Sequence, residues 1–375
     1  MTILIFGLVL SFLVFIHELG HFLAARWAKV RIEEFGLGIP PRAATLFKRG
    51  ETIFSLNWLP IGGFVKMQGE ELAGEVDAES DQDELGPFYS KSRWRRLVIT
   101  LAGVTVNFIF AVIAFSVVYT ISGIPTAIDE ARVGAIVPES PAAEAQIPTE
   151  VNIIALEDEV GEIYSITTNQ EAIEVIAAHR GQEVTLITTG PCSDRGCQEL
   201  AQQFSVYLRT ADETPTDQGA LGVIFAPGQM VHYPWYEMPF RGTAVGLEQA
   251  AAMGRMILMA LQNMIALLVQ TGQLPSDIAG PIGIVHQAGE LGLFNQGFLV
   301  ILNFAGVLSI NLAIINLLPI PALDGGRAIF ILIEPLVGKK RLQTIEGYAN
   351  HAGMIFLLSL IALISVRDVW RIFNS

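Results

Sequence analysis

Positions 2 to 25 read TILIFGLVLSFLVFIHELGHFLAA, an apolar run in which one glutamate carries the only formal charge. A run of about 20 apolar residues predicts a membrane-spanning helix. Within it, His17-Glu18-Leu19-Gly20-His21 forms an H-E-x-x-H motif, which on a helix places both histidines on one face, within reach of one Zn²⁺. Glu18 is then placed to take a proton from water. Ionisable groups at membrane depth are costly and indicate function, so the motif predicts a hydrolytic zinc centre inside the bilayer rather than two core histidines.

The composition of the 375-residue chain is that of a membrane protein, with 51% hydrophobic and only 16% charged residues. Soluble domains have about 25% charged residues. Four segments are candidate transmembrane helices, namely residues 2–25, 97–121, 298–318 and 352–366. A fifth apolar stretch, residues 250–268, contains Arg255 and Gln262 and is interpreted as an amphipathic interfacial helix. The predicted fold class is a polytopic α-helical membrane protein with about four transmembrane helices and an inserted α+β domain.

The basic residues predict the topology. The first of them, Arg26, follows the first apolar run, and all six lysines fall between the first and second spans or between the third and fourth. The positive-inside rule places these segments in the cytoplasm and both termini outside. Residues 124–241 hold 18 acidic residues against five arginines and no lysine, so they carry nearly all of the net charge of −14. Such an acidic outer segment argues against nucleic acid as a partner and leaves the lipid bilayer as the expected surroundings of the spans.

The segment order predicts four regions. Residues 1–122 form an N-terminal membrane core with the H-E-x-x-H helix, a cytoplasmic hairpin segment and the second span. Residues 127–228 form a small extracytoplasmic domain, which is either an inert spacer or a binder of peptide ends. Residues 229–295 form a linker with the interfacial helix, and residues 296–375 form a C-terminal membrane core. In the outer domain, Cys192 and Cys197 are interpreted as a local disulfide.

A catalytic zinc site needs a third protein ligand. Asp324 follows the third span in the segment NLLPIPALDGG, residues 316–326, where prolines and glycines interrupt the helix at a depth that matches the histidines. Non-helical backbone at membrane depth is tolerated where it lines a cavity. Two alternatives stay open on the residues alone. In one, Asp324 caps a helix over residues 325–336, and in the other, His351 is the third ligand.

Three motifs in this order, HELGH, WLPIGGFVKMQGE and NLLPIPALDGG, resemble those of the site-2 protease family of intramembrane zinc metalloproteases. The resemblance is strongest to the bacterial branch of the regulator of sigma-E protease type and covers nearly the whole chain. It implies that His17, His21 and Asp324 bind Zn²⁺ and that Glu18 is the catalytic base. It also implies a set of substrate-binding residues in the second and third motifs: Asn316, Pro319, Pro321, Gly62, Gly63, Phe64, Val65 and Lys66.

The resemblance further implies regulated intramembrane proteolysis in the bacterial plasma membrane, with the active site towards the cytoplasmic side. Substrates would be single-span membrane proteins trimmed beforehand outside the membrane, such as anti-sigma factors, membrane-bound regulators or signal-peptide remnants. The alternative function is a non-catalytic membrane scaffold or chaperone that binds through its outer domain.

Two segments depart from the family pattern. Residues 133–145 resemble the start of a PDZ domain, but residues 148–152 lack the usual Gly-Asp turn. The second span reads Ala102-Gly-Val-Thr-Val-Asn107 and lacks a proline of the family pattern. Asn107 either faces the site or packs between helices.

Overall fold

The structure is a computed structural model that describes residues 2–69, 85–127, 130–190, 201–215, 218–226, 228–272 and 280–374. The chain divides into two compact units. One is formed by Met1–Ile121 together with Pro234–Ser375, and the other by Ser122–Tyr233. Cys192 and Cys197, which are predicted to form a disulfide, lie outside the described residues.

Five helices in the described part of the chain are long and apolar enough to cross a membrane. They are α1 (Thr2–Trp27), α2 (Arg93–Ser122), α5 (Met238–Thr271), α7 (Phe298–Leu317) and α9 (Lys339–Asn374). Four of them contain the predicted spans. The fifth, α5, contains residues 250–268, the stretch that is predicted to be an interfacial helix. Arg255 and Gln262 do not interrupt α5, so it is long and apolar enough to be a candidate span as well. The structure therefore does not confirm a count of four spans.

Close packing of α1 against α2 fixes the depth at which their side chains meet. A Cβ atom added to Gly20 would lie 2.7 Å from the carbonyl oxygen of Ala102, so the two backbones approach closely at this point. Small residues permit such approach between membrane helices, where van der Waals packing rather than hydrophobic burial drives association. The fully buried Leu13 belongs to a cluster that joins α1 to Leu308 of α7.

A small antiparallel sheet follows α1. It consists of β1 (Ile32–Arg49) and β2 (Thr52–Met67), joined by a tight turn at Gly50. Residues 34–37 of β1 have partners on both sides, residues 53–56 and residues 63–66 of β2. The alternation around residues 52–67 thus does form strands. Residues 63–67 end up at an edge of the sheet, with no strand beyond them in the described residues.

The last short helix of the membrane unit, α8 (Asp324–Val337), begins at the predicted third ligand. Leu323 occupies the N-cap position, and Asp324 is the first helical residue. The alternative that Asp324 caps this helix is therefore not what the structure shows. Ion pairs hold α8 against its neighbours, with Arg96 Nη2 2.6 Å from Glu334 Oε2. The helix α6 (Pro281–Glu290) has 10 residues and lies against α1 and α9.

The inserted unit is an α+β domain with its own core, as the sequence predicts. Its elements are β3 (Ile124–Ala127), β4 (Val133–Ile136), α3 (Pro141–Glu144), β5 (Asn152–Glu157), β6 (Ile163–Ser165), α4 (Asn169–Ala178), β7 (Glu183–Thr189), β8 (Gln202–Tyr207), β9 (Val223–Phe225) and β10 (Gly228–Val231). The main sheet has the order β6-β5-β7-β8, and β4 pairs with β9 in a separate ladder. A capping box formed by Thr168 and Glu171 begins α4.

Candidate metal centre and active site

The first helix places two imidazoles beside one another. His17 and His21 are both buried in α1, and their Nε2 atoms are 3.2 Å apart. Residues four apart lie on the same face of a helix, so the spacing of the motif is sufficient to produce this pair. His351, the alternative third ligand, is exposed, and its Nδ1 lies 2.7 Å from the carbonyl oxygen of Gly347 on the same helix.

Asp324 reaches the pair from the other end of the chain. Its Oδ2 lies 3.1 Å from Nε2 of His17 and 3.4 Å from Nε2 of His21. Within the described residues, these three side chains form the one group of His, Cys, Asp or Glu with the spacing of a metal site. Asp324 and the histidines are far apart in sequence, and only tertiary packing brings them together.

The three atoms fit a zinc ion. Tetrahedral zinc sites with bonds of about 2.0–2.1 Å place their ligand atoms about 3.3 Å apart, and the observed separations are 3.1, 3.2 and 3.4 Å. Apart from its contacts with the two histidine nitrogens, the buried Asp324 Oδ2 has no hydrogen-bond partner within the described part of the chain. A Cβ on Gly103 of α2 would lie 2.4 Å from His21 Nε2 and 2.8 Å from His17 Nε2. Glycine at this position therefore keeps the centre open.

Glycines also form the turn that delivers Asp324. A Cβ on Gly325 would lie 2.1 Å from the carbonyl oxygen of Leu317, and one on Gly326 would lie 2.2 Å from that of Ile320. No side chain fits at either position, because real Cβ atoms do not approach backbone oxygens so closely. The Gly-Gly pair of the third motif thus lets α8 begin directly beside the end of α7.

The three ligand atoms open into a cavity of about 270 Å³ that Glu18 also lines. Val65 and Met67 of β2 line another side, and a Cβ on Gly63 would lie 3.4 Å from Glu18 Cγ. The cavity therefore lies between the carboxylate of the H-E-x-x-H motif and the edge of the β1–β2 sheet. Such a cavity has room for a water molecule beside Glu18 and for a short extended segment along the sheet edge.

Comparison with known proteins identifies the family. The family model described as peptidase family M50 matches residues 5–360, which is almost the whole chain. The chain belongs to peptidase family M50. This is the site-2 protease family that the three sequence motifs resemble, so this resemblance is confirmed.

Relatives of this M50 peptidase carry zinc metalloprotease names. A protein of Fusobacterium nucleatum with such a name is 31% identical over 374 residues, which is 100% of both chains. The zinc metalloprotease RasP of Oceanobacillus iheyensis is 27% identical over 447 residues and 99% of each chain. The regulator of sigma-W protease RasP of Bacillus subtilis is 27% identical over 453 residues, again 99% of each chain. The M50 peptidase is thus a zinc metalloprotease and, with its apolar helices, an integral membrane protein.

The residues that were predicted to bind substrate are distributed unevenly around the cavity of the M50 peptidase. Asn316 and Val65 line it, and Asn316 Nδ2 lies 3.4 Å from His17 Nε2. Lys66 instead pairs with Glu33, Nζ to Oε2 3.3 Å, on an exposed part of the sheet. The other predicted residues do not line the cavity in the described structure, namely Gly62, Gly63, Phe64, Pro319 and Pro321.

Phe64, Pro319 and Pro321 have structural surroundings of their own. The ring of Phe64 covers Gly36 of β1, because a Cβ on Gly36 would lie 2.2 Å from Phe64 Cε1. The two prolines lie in the turn between α7 and α8. The carbonyl oxygen of Pro321 packs against Gly353 of α9, at 2.4 Å from an added Cβ.

Two groups in the cavity wall were not predicted. Thr100 is buried and its Oγ1 makes no hydrogen bond within the described residues. Arg327 lines the cavity one turn after Asp324 and has its Nε 3.4 Å from Oε1 of the buried Glu346. No sequence pattern around Thr100 predicts that it lines the cavity. For Arg327, the signal was its place three residues after a ligand on the same helix face.

The inserted unit contains a separate groove. It has a volume of about 280 Å³ and lies between α4 and the segment of residues 219–225 that includes β9. Ile173 and Ile176 of α4, together with Arg180 just after this helix, line one side. In the described structure β9 pairs with β4 alone, so its second edge has no strand partner there. An apolar groove beside an open strand edge is the arrangement that peptide-binding domains use for strand addition.

Proposed function

We propose that this M50 peptidase is an intramembrane zinc endopeptidase in which His17, His21 and Asp324 hold the metal and Glu18 is the general base. The observation that carries the proposal is the meeting of three ligand atoms at mutual distances of 3.1 to 3.4 Å. They share one cavity with the carboxylate of Glu18. Three protein ligands and one open position are the pattern of a catalytic rather than a structural zinc site.

The chemistry follows from these residues. Zinc, when bound, supplies Lewis-acid activation of the scissile carbonyl and of water at neutral pH. Glu18 accepts the proton of the attacking water and passes it to the leaving amide nitrogen, which must be protonated before the C–N bond breaks. The hydrophobic walls contributed by Val65 and Met67 limit the number of competing water molecules.

The substrate is proposed to bind as an extended strand along residues 63–67. A transmembrane helix uses its carbonyl groups in its own hydrogen bonds, so it must unwind before the scissile carbonyl can be attacked. The open edge of residues 63–67 offers backbone partners for the unwound segment, and Val65 and Met67 place that edge in the cavity wall. Asn316, which also lines the cavity, is proposed to bind the same segment. Gly62, Phe64, Lys66, Pro319 and Pro321 are proposed to shape this strand and the α7–α8 turn around it.

The preferred substrates are single-span membrane proteins that have been trimmed outside the membrane. The name of the Bacillus subtilis relative, a regulator of sigma-W protease, supports membrane-bound regulators such as anti-sigma factors as the substrate class. The distribution of basic residues supports a cytoplasmic position for the active site and an outer position for residues 127–228. That PDZ-like domain, with its groove beside α4, is proposed to act as a filter for trimmed substrates.

Glu18→Gln tests the function. We expect the purified variant, in detergent, to bind one zinc ion per chain like the wild type but to leave a tagged single-span substrate uncut in reconstituted membranes. Glu248→Gln is the matched control, because Glu248 is exposed on α5. Cleavage by the Glu18→Gln variant at the wild-type rate would refute the assignment of the base, and a variant without zinc would indicate a structural role for Glu18.

A further inference from the structure

Asn107 lies directly behind one of the two histidines. It is fully buried in α2, and its Nδ2 is 3.3 Å from Nδ1 of His17. Its own carbonyl oxygen accepts a hydrogen bond of 2.8 Å from Ser309 Oγ of α7. Asn107 thus contacts α1 through its side chain and α7 through its backbone, and these two contacts can be separated by mutation.

The two imidazoles are oriented by different kinds of partner. His21 Nδ1 donates to the carbonyl oxygen of Ile99 at 2.8 Å, which leaves Nε2 with a lone pair directed at the metal position. The corresponding nitrogen of His17 faces an amide side chain. In the orientation described, Asn107 Nδ2 donates to His17 Nδ1. The proton of a neutral His17 then belongs on Nε2, which faces Asp324 Oδ2.

Zinc bound through Nε2 requires the other arrangement. The imidazole proton must then reside on Nδ1, and that nitrogen needs an acceptor. Asn107 Oδ1 is buried and makes no hydrogen bond within the described part of the chain. Because the amide is nearly symmetric in shape, half a turn about its last bond exchanges Nδ2 and Oδ1. That rotation gives both the unsatisfied oxygen and the His17 Nδ1 proton a partner.

We propose that Asn107 is a positioning residue that selects the metal-binding tautomer of His17, with its amide oxygen as the acceptor for the Nδ1 proton. The inference rests on the proposed zinc site and adds to it a side chain of α2 that contacts one of the ligands. The competing role is helix packing between α2 and α7, through the hydrogen bond with Ser309. Packing and positioning predict different effects on zinc affinity.

The test is the zinc affinity of the detergent-purified full chain, measured by competition with a chelator, for the wild type and three variants. Asn107→Leu keeps the volume but removes the acceptor, and we expect its zinc affinity to fall about 10- to 100-fold, as for other groups that orient metal ligands. Asn107→Asp keeps an acceptor and should bind close to the wild-type affinity. Ser309→Ala removes the helix–helix hydrogen bond only, so its unfolding temperature should fall while its zinc affinity stays unchanged.

Each outcome decides the inference. Wild-type zinc affinity in Asn107→Leu would overturn it, as would an equal loss in Asn107→Asp and Asn107→Leu, or a loss in Ser309→Ala as large as in Asn107→Leu. If Asn107→Leu does not fold, Asn107→Ala removes the same acceptor with a smaller side chain and carries the same expectation. If the wild-type chain binds no more zinc than a His17→Ala variant, the zinc site itself is refuted. Tight binding by every variant would refute the role of Asn107 alone.

Discussion

The two halves of the proposed zinc site are built in different ways. The histidines of α1 need only the regular spacing of a helix, whereas Asp324 depends on an irregular turn between α7 and α8. In that turn Ala322 has a φ of 75°, in the left-handed region that is unfavourable for residues other than glycine. Its amide donates to Asn350 Oδ1 of α9 at 3.0 Å, which helps to hold this conformation. A local half of a site can thus be specified by spacing, while a distant half needs backbone contacts that only small residues permit.

Gly103→Ala should have the largest effect, because it fills the space where the two halves meet. Alanine favours a helix over glycine by about 1 kcal/mol, so helix propensity alone would make this change stabilising. The added Cβ, however, would lie 2.4 Å from His21 Nε2 and displace the ligand atoms. We expect nearly complete loss of bound zinc and of proteolysis.

Zinc content by mass spectrometry of the purified chain checks this expectation. Gly7→Ala on α1 is the control, since a Cβ there meets nothing within 4 Å. A Gly103→Ala chain with full zinc content would mean that the cavity behind the ligands is wider than the structure shows.

Gly326→Ala should disturb the distant half selectively. Its Cβ would meet the carbonyl oxygen of Ile320 at 2.2 Å, and relieving this contact has to move the start of α8. Strain of this kind typically costs about 1–3 kcal/mol of folding free energy. We expect a lower unfolding temperature together with weaker zinc binding, because Asp324 moves with the helix.

The unfolding temperature and the zinc affinity of the same preparation measure both effects. Gly347→Ala on α9 serves for comparison, with no atom within 4 Å of the added Cβ. If Gly326→Ala lowers stability and leaves zinc binding intact, then Asp324 is not coupled to the turn as described.

The smallest effect is expected in the β1–β2 sheet, which supplies no zinc ligand. Partial burial raises the pKa of Glu34, but hydrogen bonds from Arg42 and Ser55 outweigh it and hold the pKa below the usual 4.5. A carboxyl group with a lowered pKa in the folded state stabilises above its unfolded pKa, and this stabilisation is lost as pH falls through the folded pKa. We therefore expect the β1–β2 sheet to be equally protected from pH 7 to about 5 and to lose protection below about pH 4.5.

Amide hydrogen exchange of residues 42–57, corrected for its intrinsic pH dependence, measures this protection. Glu34→Gln should reduce it at neutral pH by about 1 kcal/mol and remove its dependence on acid. Glu33→Gln is the control, since Glu33 and its partner Lys66 are both exposed. An unchanged acid response in Glu34→Gln would assign the effect to another carboxyl group.

Sequence reasoning succeeded where a pattern is local. The H-E-x-x-H spacing predicts the geometry of His17 and His21, and the apolar runs predict α1, α2, α7 and α9. For Asp324 it offered two roles, ligand or cap, and the structure places the residue inside α8 and beside the histidines. The two arrangements differ in long-range packing, which no local pattern contains.

Three features were beyond reach for a physical reason. The predicted stretch of residues 250–268 is part of the longer helix Met238–Thr271, and Arg255, exposed on one face, does not break this helix. Thr100 enters the cavity wall only through the register of α2 against α1. The role of Gly103 depends on a distance across two helices, although its motif was recognised as a family feature. For Thr100 and Gly103 the deciding contact joins segments that are far apart in sequence.

Zinc-edge X-ray absorption of the purified chain is the sharpest test of the proposed zinc centre, because it identifies the atoms bound to the metal. We expect two imidazole nitrogens and a carboxylate oxygen at about 2.0–2.1 Å in the wild type. In Asp324→Ala we expect loss of the metal or of that oxygen. An unchanged ligand set in Asp324→Ala, or sulfur at the zinc, would contradict a centre formed by the two distant ends of this chain.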